Sequence, residues 1–239
     1  MNTPVYFLAD IELLYVWKLA PLEGKAIIVI LIIFSIFAWS VMASKAMQMR
    51  RAKKMNHYFD SEFRGQKNVL AIYDRKIQVE GCPLFTIYQE GCLELNNRLK
   101  STAGNGRKTR VSLKAMEHVK RTLESTVAQE AIKLESGLIL LAVAVSGAPF
   151  LGLLGTVWGV MIAFTDVAKK GGADLPTLAP GVAAALVTTV AGLLVAIPSM
   201  FGYNWLVHNL RVMTVQLDNF AQSLVSRIEI EFLNDDEIE

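Results

Sequence analysis

The chain has 239 residues, of which 53% are hydrophobic and 19% charged, with a formal net charge of +2. Soluble domains average about 45–50% apolar and about 25% charged residues, so this composition, with a mean hydropathy of +0.37, points to a membrane protein. The basic excess lies beside the first of three apolar blocks, where it reads as a topology signal, and nucleic acid is not expected as a partner. Cys82 and Cys92 offer no CxxC or Cys/His spacing, so neither a metal site nor a cofactor is expected.

The N-terminus reads MNTPVYFLADIELLYVWKL, with Asp10 and Glu12 where a signal peptide would carry basic residues, and it is expected to be retained. Val5 to Leu19 carries Tyr15, Trp17 and Lys18 among apolar residues, which suits a helix lying in the outer interface within a periplasmic segment 1–25. Ala26 to Ala43 is uncharged and near the ~20 residues that a helix needs to cross a bilayer, giving a first transmembrane helix at 26–44. Lys45, Arg50, Arg51, Lys53 and Lys54 crowd its C-terminal side, whereas Lys18 and Lys25 on the other side stand against Asp10, Glu12 and Glu23. That asymmetry places the N-terminus in the periplasm and the C-terminus in the cytoplasm.

The segment 45–135 reads as a cytoplasmic helical domain, its apolar residues recurring at three and four: Val69, Ile72, Tyr73 and Ile77, then Leu84, Tyr88, Leu95 and Leu99. Turn-forming residues in STAGNGRKTR, Ser101 to Arg110, interrupt it. A second transmembrane helix is expected at 136–166, a short periplasmic turn at 167–176, and a third transmembrane helix at 177–206. Leu206, Leu210, Met213, Leu217, Phe220 and Leu224 carry a helical stripe into a cytoplasmic extension, 207–239, that ends in the acidic NDDEIE. The expected fold is therefore an all-α membrane protein of three transmembrane helices, the second and third extended into a cytoplasmic helical bundle.

Small residues recur every four positions in the second and third spans: Ala148, Gly152 and Thr156, then Gly181, Ala185 and Thr189, with a parallel row Ala184, Thr188, Gly192 and Ala196. Such spacing lets helices approach closely in lipid, and Gly152, Gly155, Gly159, Gly181, Ala185 and Gly192 are the candidate packing positions. The rows are read either as helix contacts or as the lining of a shared pore. Thr156, Thr188 and Thr189 are the strongly polar groups at mid-span, and each hydroxyl could instead simply bond a carbonyl one turn back. Carboxylates inside a membrane usually mark an ion pathway, yet Ser136 to Thr165 and Leu175 to Leu206 contain none. If ions pass, another chain must supply the acid.

The runs APFLGLLGTVWGVMIAF, Ala148 to Phe164, and LAPGVAAALVTTVAGLLVAIPSMFGYN, Leu178 to Asn204, resemble the signature of the MotA/TolQ/ExbB family. IYQEGCLELNNRL, Ile87 to Leu99, and the run FSIFAWSVMASKAMQMRRAKK bring the chain nearer to the TolQ/ExbB branch than to MotA. The resemblance implies a homopentamer in a bacterial inner membrane whose second and third spans line a central pore. It implies a single-span partner like ExbD or TolR that supplies a transmembrane aspartate, and a further TonB- or TolA-like protein that receives the force. Thr156 and Thr189 match the family's pore threonines, while the glutamate of ExbB and TolQ falls on Ala184. Val157 and Ala184 would then form an apolar wall past which the partner's neutralised aspartate turns.

The transported ion implied is the proton. Sodium is the alternative, because the pair Thr188–Thr189 resembles the double threonine of sodium-driven stators and hard cations favour oxygen ligands. An enzyme is not expected, since no phosphate loop, metal spacing or Ser/His/Asp order assembles a reaction centre. A non-conducting membrane scaffold is the competing class.

Overall fold

The computed structural model describes residues 21–77, 79–101, 110–170 and 175–233. The expected interfacial helix before residue 21, most of the turn at 102–109, the centre of the periplasmic connection and the acidic tail from 234 lie outside them. The described residues form α1 (Leu22–Gly65), α2 (Ala71–Asp74), α3 (Pro83–Ser101), α4 (Leu113–Glu135), α5 (Leu138–Lys170) and α6 (Leu175–Phe232). Extended pairing among them is confined to one parallel bridge, Val111 with Leu233.

Helices α1, α5 and α6 are long and apolar enough to cross a membrane. In hydrocarbon a helix satisfies its backbone groups within the segment, which is why these uncharged runs take this form. Both α5 and α6 continue through their internal prolines, Pro149, Pro180 and Pro198. They also reach into the connection expected at 167–176, ending at Lys170 and beginning at Leu175.

One feature of the expected fold needs correction. The first and third spans, not the second and third, are the ones that continue as unbroken helices: no Pro or Gly interrupts α1 between Lys25 and Arg64, and α6 runs on through its own prolines. The second span is separated from α4 by a break. Ser136 leaves the helical region at φ −49°, ψ 135° and Gly137 takes φ 83°, a left-handed conformation that glycine adopts without a Cβ penalty.

The chain divides into two compact units. The first comprises the described residues up to Ser44 with Gly137–Trp205. Its core contains Ile27 and Leu31 of α1, Ala148 of α5 and Ala196 of α6, with Leu151, Ala191 and Val195 packed against them. Its outward face is apolar: Ile36 and Phe37 of α1, Phe150 and Val157 of α5, and Leu194 and Phe201 of α6 are all more than half exposed. So much exposed apolar surface calls for lipid or protein around it.

The second unit comprises Lys45–Ser136 with the chain from Leu206. Phe59 and Phe63 of α1, Phe85 and Tyr88 of α3, and Phe220 of α6 form an aromatic cluster with ring centroids 5.2 to 6.4 Å apart. The predicted stripes are buried at Leu84, Tyr88, Leu95 and Leu99 on α3 and at Leu206, Met213, Leu217, Phe220 and Leu224 on α6, while Leu210 is only half-buried. The stretch Val69 to Ile77, read as helix from its spacing, holds only the single turn α2. Lys76 at φ 51° ends it, and Ile77 is exposed. Tyr88 secures this connection by donating to Val69 O (2.6 Å) and accepting from Tyr73 N (2.9 Å). Ser112 caps α4 by accepting from Ala115 N, and Lys45 donates to Ser136 Oγ at its far end.

Candidate functional site

Within the first unit, α5 and α6 run side by side through positions that have little or no side chain. A Cβ on Gly152 would lie 2.9 Å from Thr188 O, one on Gly159 2.6 Å from Ala185 Cβ, and one on Gly181 2.9 Å from Ala163 Cβ. On Gly192 it would lie 2.6 Å from Ala148 O, and on Gly155 it would collide with the Thr188 side chain. The contact residues on α6 are thus Gly181, Ala185, Thr188 and Gly192, which step by four, three and four. These steps average about 3.7 residues, close to the 3.6 per turn of a straight α-helix, so one face of α6 makes the contact and draws on both of the small-residue rows. The rows accordingly build a contact within one chain.

Glycine at these positions brings the backbones close enough for the threonines to bond across the seam. Thr156 Oγ1 is 3.1 Å from Gly152 O, its own carbonyl one turn back, and 3.4 Å from Ala185 O on the other helix. It also shares a hydrogen bond with Thr189 Oγ1. Thr188 Oγ1 is 2.6 Å from Ala185 O and 3.1 Å from Gly152 O, and Thr189 Oγ1 is 3.2 Å from Gly152 O. Three hydroxyls therefore converge on two carbonyls. Each hydroxyl has one proton to donate, so these contacts are alternatives and cannot all be made at once.

Burial separates the threonines into two classes. Thr188 is 1% exposed and Ala184 2%, both enclosed by their own chain, whereas Thr156 and Thr189 are half-buried and Val157 is 61% exposed. Val157 and Ala184, expected in one wall, thus differ in exposure. Ala184 and Thr188 are enclosed within the protomer, and Gly24 of α1 lies close to the Thr188 methyl. Thr156, Thr189 and Val157 remain partly accessible. The bond from Thr156 to Gly152 O is the one-turn-back alternative read from the sequence, whereas the contacts across the helices, Thr156 to Ala185 O and Thr188 and Thr189 to Gly152 O, were missed. The signal of the bonds within a helix is the threonine placed three or four residues after a glycine or alanine.

A model of the MotA/TolQ/ExbB proton channel family matches residues 94–219, more than half of the chain and the whole of the α5–α6 seam. The chain belongs to this family. Among curated relatives, the Tol-Pal system protein TolQ of Pseudomonas aeruginosa is 32% identical over 194 residues, covering 79% of this chain and 81% of the relative. TolQ of Haemophilus influenzae is 30% identical over 214 residues, 88% of this chain and 90% of the relative. The biopolymer transport protein ExbB of Neisseria meningitidis is 28% identical over 204 residues, 84% and 90% respectively. These relatives place the chain in the TolQ/ExbB branch of the MotA/TolQ/ExbB family, and it is a membrane protein of a proton channel family.

Proposed function

We propose that this chain is the pore-forming, stator-type subunit of a motor in the bacterial inner membrane. It assembles as a homo-oligomer, a pentamer, and works with an ExbD/TolR-like single-span protein. Proton-motive force then energises a periplasmic or outer-membrane process of the Tol-Pal or TonB type, through a TolA- or TonB-like protein. The N-terminus faces the periplasm and the C-terminus the cytoplasm, a reading supported by the basic cluster Lys45 to Lys54.

The observation that carries this reading is the pair Thr156 and Thr189. They are joined hydroxyl to hydroxyl and partly accessible at mid-span on helices without a carboxylate. A polar group placed in hydrocarbon is retained for a purpose. Here the two hydroxyls offer a hydrogen-bonding station to a partner's aspartate, which loses its charge on taking a proton and can then move past Val157. Ala184 carries no carboxyl group, so the acid comes from the partner. A sodium-driven motor is the second reading, supported by the five oxygens of the threonines and carbonyls within 3.4 Å contacts of one another.

The experiment is ion flux into liposomes containing this chain and its single-span partner, under a proton or a sodium gradient, for the wild type, Thr156→Val and Thr189→Val. An interhelical hydrogen bond in a membrane contributes on average about 0.6 kcal/mol, so the oligomer should survive both substitutions. Flux should be lost. Normal flux in both valine variants would overturn the site, and absence of flux under either gradient in the wild type would favour the scaffold.

A further inference from the structure

In the second unit, α1 and α6 each carry a polar stripe bordering a common cavity of about 490 Å³. Lys53, Asn56, His57, Asp60 and Arg64 come from α1, and Gln216, Asn219, Ser223 and Arg227 from α6. The volume falls within the roughly 300–1,000 Å³ of small-molecule sites. Phe63, Phe220 and Leu84 supply apolar surface to the same cavity, as such sites commonly have.

The charges around this cavity do not cancel. Asp60 is the acid in the lining, and Arg64 already holds it at 2.8 Å. Arg227 donates to Phe63 O at 3.1 Å and lies 4.8 Å over the Phe63 ring, so neutral groups fix its position and leave its charge uncompensated. Lys53 and His57 make no hydrogen bond or ion pair with any described residue. Positive charge thus faces the cavity from both helices.

Asn56 supplies an independent observation. Its side chain is 4% exposed, and Oδ1 is committed as acceptor for Leu84 N (3.2 Å) and Cys82 Sγ (3.5 Å). The amide orientation is therefore set, and Nδ2 is a buried donor without a partner. Among the described residues it is the buried side-chain nitrogen or oxygen left unsatisfied, and its residue lines this cavity. Buried donors are nearly always paired, so this one leaves unfilled hydrogen-bonding capacity in a residue of the cavity wall.

We propose that this cavity binds a soluble, phosphate-bearing small anion, held between Lys53 and His57 of α1 and Arg227 of α6. A phosphate group suits the arrangement better than a single carboxylate, because its several oxygens can accept from donors arriving from opposite sides. Occupancy would tie α1 to α6 across the cavity. This site is separate from the threonines and stands whether or not the motor reading holds.

The test uses the full-length protein in nanodiscs of zwitterionic lipid, titrated calorimetrically with inorganic pyrophosphate at fixed ionic strength. Saturable binding is expected, weakened at least about tenfold in Lys53→Gln and in His57→Gln by loss of a charge-assisted contact. Both residues are exposed, so the variants should keep the wild-type melting temperature. Lys54→Gln, an exposed neighbour outside the lining, should bind as the wild type does. Absence of saturation, or equal weakening in Lys54→Gln, would overturn the site. Loss of pyrophosphate binding on adding phosphatidylglycerol to the nanodiscs would assign the phosphate site to a lipid headgroup and overturn the soluble ligand.

Discussion

Gly192→Ala places a methyl group where the backbone of the facing helix already lies. The new Cβ would stand 2.6 Å from Ala148 O, 3.2 Å from Gly152 Cα and 3.3 Å from Ala148 C. Carbon approaches a carbonyl oxygen to about 3.3 Å, so α5 and α6 must separate locally by roughly 0.7 Å. Every obstructing atom is main chain, and no rotamer change can relieve it. A gap of 0.5–1 Å forfeits about a quarter to a half of the dispersion attraction across it, and overpacking of this kind costs about 1–3 kcal/mol. The same displacement would draw Thr188 Oγ1, now 3.1 Å from Gly152 O, out to roughly 3.8 Å, beyond hydrogen-bond reach. Gly147→Ala is the control, since its Cβ would meet only Val143 Cγ1 at 4.0 Å on the same helix. Reversible unfolding in bicelles should show Gly192→Ala less stable by about 1–3 kcal/mol and Gly147→Ala unchanged or slightly more stable, and proton flux should fall in the former alone. Equal stability of the two variants would refute the close seam.

Tyr88→Phe removes the hydroxyl that joins Val69 O to Tyr73 N, and leaving those groups unpaired should cost about 1–3 kcal/mol in denaturant unfolding. Burial pushes the Cys92 thiol from 9.0 up to about 12, so the native chain keeps this proton where the unfolded chain releases it. Stability from this group is full below pH 9 and is lost as pH rises toward 12. Chemical denaturation from pH 8 to 10.5 should therefore show a steeper alkaline decline in the wild type than in Cys92→Ala. Gly137→Ala forces a Cβ into the left-handed conformation at the break before α5 and should lower stability by about 1–2 kcal/mol, measured by the same unfolding assay.

The three spans were legible because charge is excluded from them and the blocks are long enough to cross lipid. The seam was legible in its composition, although not in its geometry. Two rows of small residues lie about 100° apart on α6, and nothing in their hydropathy says which faces α5. The helix uses parts of both, crossing from one to the other between Ala185 and Thr188. That crossing turns Ala184 and Thr188 inward, an outcome that strict four-residue spacing hides. The failure at Val69 to Ile77 has a different cause. Four apolar residues at helical spacing also fit a buried turn, and the residue that ends the helix is Lys76, whose positive φ carries no compositional mark. The cationic cavity was hidden for a third reason, because Lys53, His57 and Arg227 look like an ordinary solvated face until two helices bring them together.

The crowding of three hydroxyls around two carbonyls gives the middle of the seam an electrical character of its own. Thr156 can point its proton at Gly152 O, Ala185 O or Thr189 Oγ1, while Thr188 and Thr189 each choose between two acceptors. Exchanging one pattern for another rotates small dipoles and moves no helix. Turning a hydroxyl about its C–O bond displaces only a proton, whereas collective motions of helices take microseconds or longer. A positive charge arriving beside Thr156 and Thr189 would thus meet a medium that reorients before the scaffold can respond, a patch of local polarisability set into an otherwise apolar pair of helices.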